Sequence, residues 1–513
     1  MAIVAIAVGL SLLAAACSTV SRAGESSTRP TAAPSSTAAP SSSAPATTRS
    51  DPAPSPALGD LTTYGYGNAR SNDDNVDPKI KSLSSTPIWN ATLDGAVDGQ
   101  PLVYDATVYV GTENDTVYAL GAAKGRVLWK LHVGNAVPLP VIDSAPTLSS
   151  GCGDISPLGI TGTPVIDKSL GEIFVAEETE VGGTRWQDVQ HWLVAVSLAS
   201  HKELWHRQID PPHGNNASYY YIPAEQQRPG LTLLGDRVYA EYGGLDGDCG
   251  QYHGYVVSLP VSGSGSLASY QVPTQREGGI WGVGGALVSA AGNLYVNTGN
   301  GSSNSIKDYD EGNSVIELSP SLARLGYWAP GSWVTLNDED WDLGSTGPIA
   351  VPGTSLLFAS GKPDGSRSSG YLMPDSPLGK IGHDAVSGAV CPGGGSWGAL
   401  AAAVVGTGAT AKTFVYAPCT SGTEALEIDT KSPISFRQAW APSTGTPNGP
   451  PVVAGGLVWA LAWDDAELYG MNPSTGHVVI ERSTDALSHF ATPAVGDTRL
   501  FVPTTSGVEA FAT

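Results

Sequence analysis

The chain has 513 residues, of which 41% are hydrophobic and 14% charged, and it contains 63 glycines and 38 prolines. Few charges with many turn-forming residues favour an all-β protein, and the length allows one large repeat domain or about two to three ordinary domains. The formal net charge of −22 argues against a nucleic-acid partner, because phosphate binding needs a basic surface.

The N-terminus has the pattern of a targeting segment. Residues 2–16 are apolar, too short to span a bilayer, and end in small residues before Cys17. The stretch LAAAC resembles a bacterial lipoprotein signal, in which the cysteine thiol is lipidated and becomes the mature N-terminus. The resemblance implies a signal peptide over residues 1–17, a lipid anchor at Cys17 and a location on the outer face of the membrane. An ordinary cleaved signal peptide with an incidental Cys17 is the alternative.

Residues 18–59 are a low-complexity tract of serine, threonine, proline and alanine. The tract has almost no large apolar side chain, so burial cannot offset the entropy of ordering it. It predicts a disordered tether that holds the following domain, residues 60–513, away from the membrane surface.

Five cysteines occur in the chain, and four of them follow Cys17. An even number in an exported chain predicts two disulfides, which can pair in three ways. We favour the pairs Cys152–Cys249 and Cys391–Cys419. No cysteine or histidine cluster has the spacing of a zinc site.

A repeated unit organises the remaining sequence. Residues 101–134 contain four short apolar or alternating runs separated by turn-forming residues, which indicates a four-stranded antiparallel sheet. Seven further versions follow, and the last has only three strands. Residues 87–93 resemble a fourth strand and would close the ring by pairing with the C-terminal strands. The sequence therefore predicts an eight-bladed β-propeller, with a pair of irregular β-sandwiches as the alternative.

The motifs of the first unit also carry a family resemblance. VYVGT at 108–112, VYAL at 117–120, Lys124-Gly125 and Leu128-Trp129 resemble the repeat of pyrroloquinoline quinone (PQQ) propellers. The resemblance extends over residues 64–513. It implies the eight-bladed fold, and it is shared by quinoprotein alcohol dehydrogenases and by cofactor-free propellers such as an outer-membrane-assembly lipoprotein.

The resemblance also implies a possible site for PQQ and Ca²⁺ on the propeller axis. Carried over residue by residue, it makes Glu241 and Asn300 the metal ligands, Trp281 the ring under the quinone, Asp342 the catalytic base and Lys362 a contact to a quinone oxygen. Glu241, Asn300 and Lys362 follow the second strand of three successive units, so we expect them at one end of the ring. The adjacent cysteine pair of many quinoprotein dehydrogenases is absent, because only Cys152 stands in that region.

Two functions remain open on the sequence. The first is a membrane-tethered binding module for a protein, a glycan or another envelope component, and we favour it because the sequence evidence for the fold is stronger than that for the site. The second is a PQQ- and calcium-dependent dehydrogenase that oxidises an alcohol or a sugar.

Overall fold

The computed structural model describes residues 59–146, 148, 151–212, 222–246, 248–363, 365, 368–383, 385–441 and 447–513. These residues lie in one compact unit, Pro56–Thr513. The predicted signal peptide with Cys17 and the predicted tether up to residue 58 lie outside the described residues. Among the described helices, none is long and apolar enough to cross a bilayer.

The described residues form eight antiparallel sheets of four strands, arranged as the blades of a propeller. Blades 1 and 2 contain Leu102–Tyr104, Thr107–Thr112, Thr116–Gly121 and Val127–His132, then Val165–Asp167, Glu172–Glu180, Val189–Ser197 and Glu203–Gln208. Blades 3 and 4 contain Thr232–Leu234, Arg237–Gly244, Tyr255–Pro260 and Ala268–Gln271, then Leu287–Val288, Leu294–Asn297, Val315–Leu318 and Arg324–Ala329. The order within each blade matches the predicted repeat.

The second half of the ring repeats the pattern. Blades 5 and 6 contain Ile349–Ala350, Leu356–Ser360, Ser368–Pro374 and Val386–Val390, then Ala401–Val405, Lys412–Cys419, Gly422–Asp429 and Ser435–Trp440. Blades 7 and 8 contain Val452–Ala454, Leu457–Ala462, Glu467–Met471 and Val478–Ser483, then Ala494–Gly496, Arg499–Thr504, Gly507–Ala512 and Trp89–Thr92. The short helical segments of the described chain are Tyr64–Tyr66, Leu139–Asp143, Trp186–Asp188, Ile222–Ala224, Trp333–Asp338, Leu343–Ser345 and Gly408–Thr410.

Blade 8 closes the ring by joining the two ends of the domain. Trp89–Thr92 pairs antiparallel with Gly507–Ala512, with Trp89 opposite Ala510. This pairing confirms the predicted closure. It removes two sheet edges that would otherwise expose unpaired backbone groups.

Three short strands extend blades beyond four strands. Glu225–Gln226 pairs with the second strand of blade 3, and Asp73–Asp74 runs parallel to the inner strand of blade 7. Lys380–Ile381 runs parallel to the outer strand of blade 4. Lys380–Ile381 lies in the connection between the third and fourth strands of blade 5, yet it pairs with blade 4. The outer edge of blade 4 offers free backbone groups to this segment, and Val386–Val390 completes blade 5 instead.

Tryptophans of the outer strands connect neighbouring blades. Each indole N–H donates to a backbone carbonyl of the next blade: Trp89 to Ala122 at 2.9 Å, Trp205 to Val261 at 3.1 Å, Trp328 to His383 at 2.9 Å and Trp440 to Pro473 at 3.0 Å. The Trp205 ring lies against Gly263, where a Cβ atom would come within 2.5 Å of it and where φ is +67°. A glycine is therefore required at this turn by both the close approach and the left-handed conformation.

The segment before the first blade occupies the centre of the ring. Residues 61–74, which we call the axial strap, contact the inner strand of every blade. One hydrogen bond to each blade shows this. In order from blade 1 to blade 8, the bonds join Leu61 to Val103, Thr62 to Ile166, Thr63 to Leu231, Asn68 to Val288, Ala69 to Ala350, Ser71 to Ala402, Asn72 to Val453 and the Tyr66 hydroxyl to Val495. A single segment thus satisfies backbone groups that face the propeller axis, where the inner strands have no further strand to pair with.

Arg70 anchors the axial strap. Its guanidinium donates to the carbonyl oxygens of Ala286 at 3.0 Å and Tyr64 at 2.9 Å and to the hydroxyl of Thr232 at 2.5 Å. Burial lowers the pKa of Arg70 to about 10, and the carboxylate of Glu241 opposes this shift. A fully buried cation with this many partners ties the strap to blades 3 and 4.

Both favoured disulfides are present. Cys152 and Cys249 have Cα atoms 5.8 Å apart, and Cys391 and Cys419 have Cα atoms 5.1 Å apart. The first joins the connection before blade 2 to the loop within blade 3, and the second lies between blades 5 and 6. Two disulfides in one chain are typical of export from the reducing cytoplasm.

Candidate functional site

A cavity of about 490 Å³ opens at one end of the propeller. At this end the second strand of each blade ends and the inner strand of the next blade begins. The connections of blades 3 to 8 supply most of its walls. This size lies in the range of small-molecule sites. It also lies where equivalent positions of successive blades were expected to converge.

Trp281 forms one wall of the cavity. Its indole N–H donates to the carbonyl of Gly244 at 3.1 Å. Cβ atoms built at Gly243 or Gly299 would lie 2.3 Å from ring atoms, so glycine at both positions lets the indole lie against the backbone. The hydrogen bond and these backbone contacts fix the orientation of the indole, and the part of the ring that lines the cavity remains available to a ligand.

Asp342 and Lys362 form a buried ion pair in the same cavity. The Asp342 carboxylate is fully buried, with Oδ1 2.5 Å from the backbone N–H of Asn300 and Oδ2 2.6 Å from Lys362 Nζ. Burial raises the pKa of Asp342 to about 7, although Lys362 opposes this. Burial alone lowers the pKa of Lys362, but Asp342 and Asp340 outweigh it and raise that pKa above its ordinary value. The ammonium also lies 5.6 Å from the ring centroid of Trp397, a cation–π distance.

Two further carboxylates complete an acidic group around this pair. Carboxylate oxygens of Asp248, Asp340 and Asp342 lie within 4.8 Å of one another, and Asp340 lies 2.8 Å from Lys362 Nζ. The hydroxyl of Tyr252 donates to Asp248. Sequence reasoning missed Asp248 as a site residue. It follows the second strand of blade 3, the same signal that had found Lys362 after the second strand of blade 5.

Another part of the lining combines aromatic rings with basic side chains. The rings of Trp463 and His489 lie 4.1 Å apart, and those of Trp463 and Phe490 lie 5.4 Å apart. Arg228 lies 5.3 Å from the Phe490 ring centroid. Asp154 accepts from His489 at 2.9 Å and pairs with Arg228 at 3.4 Å, and the His489 bond is the main cause that lowers the pKa of Asp154.

The structure divides the residues that the resemblance had grouped. Trp281, Asp342 and Lys362 line one cavity, as expected for three members of one site. Asn300 reaches Asp342 only through its backbone N–H, and its side chain does not line the cavity. Glu241 also does not line it: the carboxylate is fully buried beside the charge of Arg70, and burial raises its pKa to about 7. The roles of all five residues stay predictions.

The charge of the cavity decides whether the predicted cofactor fits. Five carboxylates line it, Asp154, Asp246, Asp248, Asp340 and Asp342, against two permanent cations, Arg228 and Lys362. Both cations are already paired with lining carboxylates. PQQ is an anionic, carboxylate-bearing quinone, and this lining does not fit it. The carboxylate oxygens are suitable donors for Ca²⁺, but the ammonium of Lys362 already balances two of them.

Known proteins resemble the chain in both sequence and fold. A family model described as outer membrane protein assembly factor BamB matches residues 80–241. A quinohemoprotein alcohol dehydrogenase of Comamonas testosteroni is 24% identical over 339 residues, which are 59% of this chain and 42% of that protein. The matched region thus spans less than half the length of this relative.

Solved structures extend the likeness to most of the chain. The crystal structure of the quinohemoprotein alcohol dehydrogenase from Comamonas testosteroni has a TM-score of 0.58 and 15% identity, covering 88% of this chain and 80% of the other. BamB from Moraxella catarrhalis has a TM-score of 0.53 and 15% identity, covering 84% of this chain and 100% of the other. At these identities the likeness shows the fold. The predicted resemblance to PQQ propellers is therefore confirmed at the level of the fold, and the chain is an eight-bladed β-propeller.

Proposed function

We propose that the chain is an extracytoplasmic binding module whose axial cavity takes up a neutral glycan or polyol unit. The observation that carries this proposal is the combination of indole faces with hydrogen-bonding carboxylates in one cavity of about 490 Å³. The apolar C–H face of a sugar ring packs on an indole, and its hydroxyl groups donate to carboxylate oxygens. Trp281, Trp397 and Trp463 supply the faces, and Asp248 and Asp340 supply acceptors.

The charge balance supports a neutral ligand over an anionic one. The lining carboxylates outnumber the permanent cations by three, so an anion entering the cavity meets net repulsion. A neutral polyhydroxylated ligand meets no such penalty, and its hydroxyl groups can donate to the carboxylate lone pairs that Tyr252 and Lys362 leave unused.

In this proposal, the lipid anchor predicted at Cys17 and the tether predicted over residues 18–59 attach the binding module to the membrane. A propeller anchored in this way stays close to the envelope, which raises the effective concentration of nearby glycans. The lipid-anchored location is part of the proposal, and metabolic labelling with a radioactive fatty acid, with Cys17→Ala as control, tests it directly.

Titration of the purified chain with neutral mono- and disaccharides, followed by calorimetry and tryptophan fluorescence, tests the binding proposal. We expect saturable binding of at least one sugar with a change in indole emission. Trp397→Ala removes one of the indole rings that line the cavity and should weaken that binding at least about tenfold, a loss in the range of one aromatic contact.

Trp192→Ala is the matched control, because Trp192 lies on blade 2, contacts His206 and does not line the cavity. It should bind as the unaltered chain does. Absence of binding across the sugar panel, or equal weakening by both tryptophan variants, contradicts the proposal.

A second candidate function, which the acidic lining of the cavity disfavours, is a PQQ-dependent alcohol or sugar dehydrogenase. It is supported by the sequence relation to the Comamonas testosteroni enzyme and by the presence of Trp281, Asp342 and Lys362 in one cavity. Incubation with PQQ and Ca²⁺, followed by dye reduction with alcohols and sugars, tests it. Dye reduction that Asp342→Asn abolishes would favour this candidate, whereas sugar binding without any dye reduction favours the binding module.

A further inference from the structure

A second group of acidic side chains lies at the junction of blades 1 and 2, apart from the axial cavity. Asp115 stands in the turn between the second and third strands of blade 1, and Glu177 stands on the second strand of blade 2. The exposed fractions of Asp115 and Glu177 are 0% and 4%. Neither residue lines the cavity described above.

The two carboxylates point at the same place. A Cβ atom built at Gly134 would lie 2.5 Å from Glu177 Oε2 and 2.7 Å from Asp115 Oδ2. The two oxygens can therefore be no farther apart than the sum of those distances. Ca²⁺ binds oxygens at about 2.3–2.6 Å, so one ion can reach both with little side-chain movement. Glycine at position 134 keeps this space free of a side chain.

These carboxylates have no balancing partner among the described residues. Both oxygens of Asp115 and Oε2 of Glu177 are buried without a hydrogen-bond partner there. His191, which lies on the strand paired with that of Glu177, is engaged by Glu178 at 3.5 Å and Asp210 at 2.9 Å. Burying carboxylates without a counter-charge is costly unless a cation or proton joins them.

Further oxygens lie beside these two carboxylates. A Cβ atom at Gly134 would lie 2.7 Å from the Thr179 hydroxyl. A Cβ atom at Gly159 would lie 2.8 Å from the backbone carbonyl of Glu113 and 2.9 Å from Asp115 Oδ1. Carboxylate, hydroxyl and carbonyl oxygens without sulfur or nitrogen are the donor set of a hard cation, and Ca²⁺ tolerates the irregular geometry of such a group better than Mg²⁺ does.

We propose that Asp115 and Glu177 bind one Ca²⁺ ion that joins blade 1 to blade 2. The ion supplies the positive charge that the described side chains do not. It connects a turn of one blade to a strand of the next, so its binding stabilises the folded ring. This proposal is independent of any ligand in the axial cavity.

Calorimetric titration of the full, chelator-treated chain with CaCl₂ at neutral pH tests the proposal. We expect saturable Ca²⁺ binding, and a rise of about 3 °C in the midpoint of thermal unfolding when Ca²⁺ is 100-fold above its Kd. Asp115→Asn and Glu177→Gln keep the side-chain shape and should each abolish this site and the rise. If Asp115→Asn does not fold, Glu177→Gln still tests the proposal.

Asp248→Asn separates this site from the acidic group of the axial cavity. It should keep the Ca²⁺-dependent rise, because Asp248 does not contact Asp115 or Glu177. Three results would overturn the proposal: no Ca²⁺ binding by the unaltered chain, an unchanged rise in both Asp115→Asn and Glu177→Gln, or loss of the rise in Asp248→Asn alone.

Discussion

At the residue scale, Lys362 holds the acidic side of the axial cavity together. Its ammonium lies 2.6 Å from Asp342 and 2.8 Å from Asp340, and it is the cation that balances a fully buried carboxylate. Removing one partner of a buried pair leaves the other charge without compensation, which costs more than the pair itself contributes.

Lys362→Met should therefore destabilise the fold at pH 8 by about 3 kcal/mol. At pH 5.5 the loss should be smaller, because Asp342, whose pKa is already raised to about 7, then binds a proton and becomes neutral. Chemical denaturation at the two pH values measures this difference.

Lys412→Met is the matched control, because that ammonium is 53% exposed and pairs with Glu427 at the surface. Its effect should stay below about 1 kcal/mol and should not depend on this pH change. An equal loss at both pH values for Lys362→Met would contradict the role given to Asp342.

The site could be predicted from sequence only where a residue lies just beyond a strand. Lys362 and Asp342 stand in connections, and the ring brings such positions together whatever the rest of the chain does. Glu241 lies inside the strand Arg237–Gly244, so it faces the packed interior rather than the cavity. Glu241 was carried over from the family resemblance, whereas Asp248 stands in the loop beyond the end of this strand at Gly244.

At the element scale, the blades are joined by tryptophans that lie on the turn of the next blade. Trp205 of blade 2 donates to Val261 of blade 3 and packs against Gly263.

Trp205→Ala should lower the free energy of unfolding by about 3 kcal/mol, since it removes a large packed ring and a hydrogen bond. Leu204→Ala is the control on the same strand, because Leu204 is 48% exposed and should lose less than about 1 kcal/mol. Equal losses measured by urea denaturation would contradict this role.

The axial strap is the second element on which the ring depends. Arg70 ties it to blades 3 and 4 through buried hydrogen bonds, so Arg70→Met should cost about 3–5 kcal/mol by leaving carbonyl oxygens unpaired. Arg185→Met provides the control, because that side chain is 71% exposed and pairs with Asp188 of its own loop. Urea denaturation of both variants measures the difference, and a loss below about 1 kcal/mol for Arg70→Met would contradict the anchoring role.

At the scale of the whole molecule, the repeat made the fold predictable. Each unit carries its own strand and turn pattern, and closure by residues 87–93 followed from the missing fourth strand of the last unit. The axial strap was not predictable, because residues 61–74 have no strand or helix periodicity and adopt their path only by bonding to inner strands that are distant in sequence. The parallel pairing of Lys380–Ile381 was missed for the same reason.

Many buried carboxylates give the whole fold a pH dependence. Burial raises the pKa of Glu177 to about 8 and those of Asp73 and Glu241 to about 7. A carboxyl group whose folded pKa is raised contributes stability below its unfolded pKa and loses it as pH rises through the folded value. The midpoint temperature of thermal unfolding, measured in the presence of a chelator, should therefore decrease as the pH is raised from 5.5 to 8.5. Glu177→Gln should reduce the slope, and a midpoint that rises over this range would contradict the assignment.

The central claim is that the axial cavity binds a neutral sugar. The most direct measurement is a crystal structure of the full chain soaked with the tightest-binding saccharide from the calorimetric panel. We predict the sugar ring in the cavity, packed on Trp281 or Trp397, with hydroxyl groups bonded to Asp248 or Asp340. A sugar bound outside this cavity, or no bound sugar at a saturating concentration, would contradict the claim.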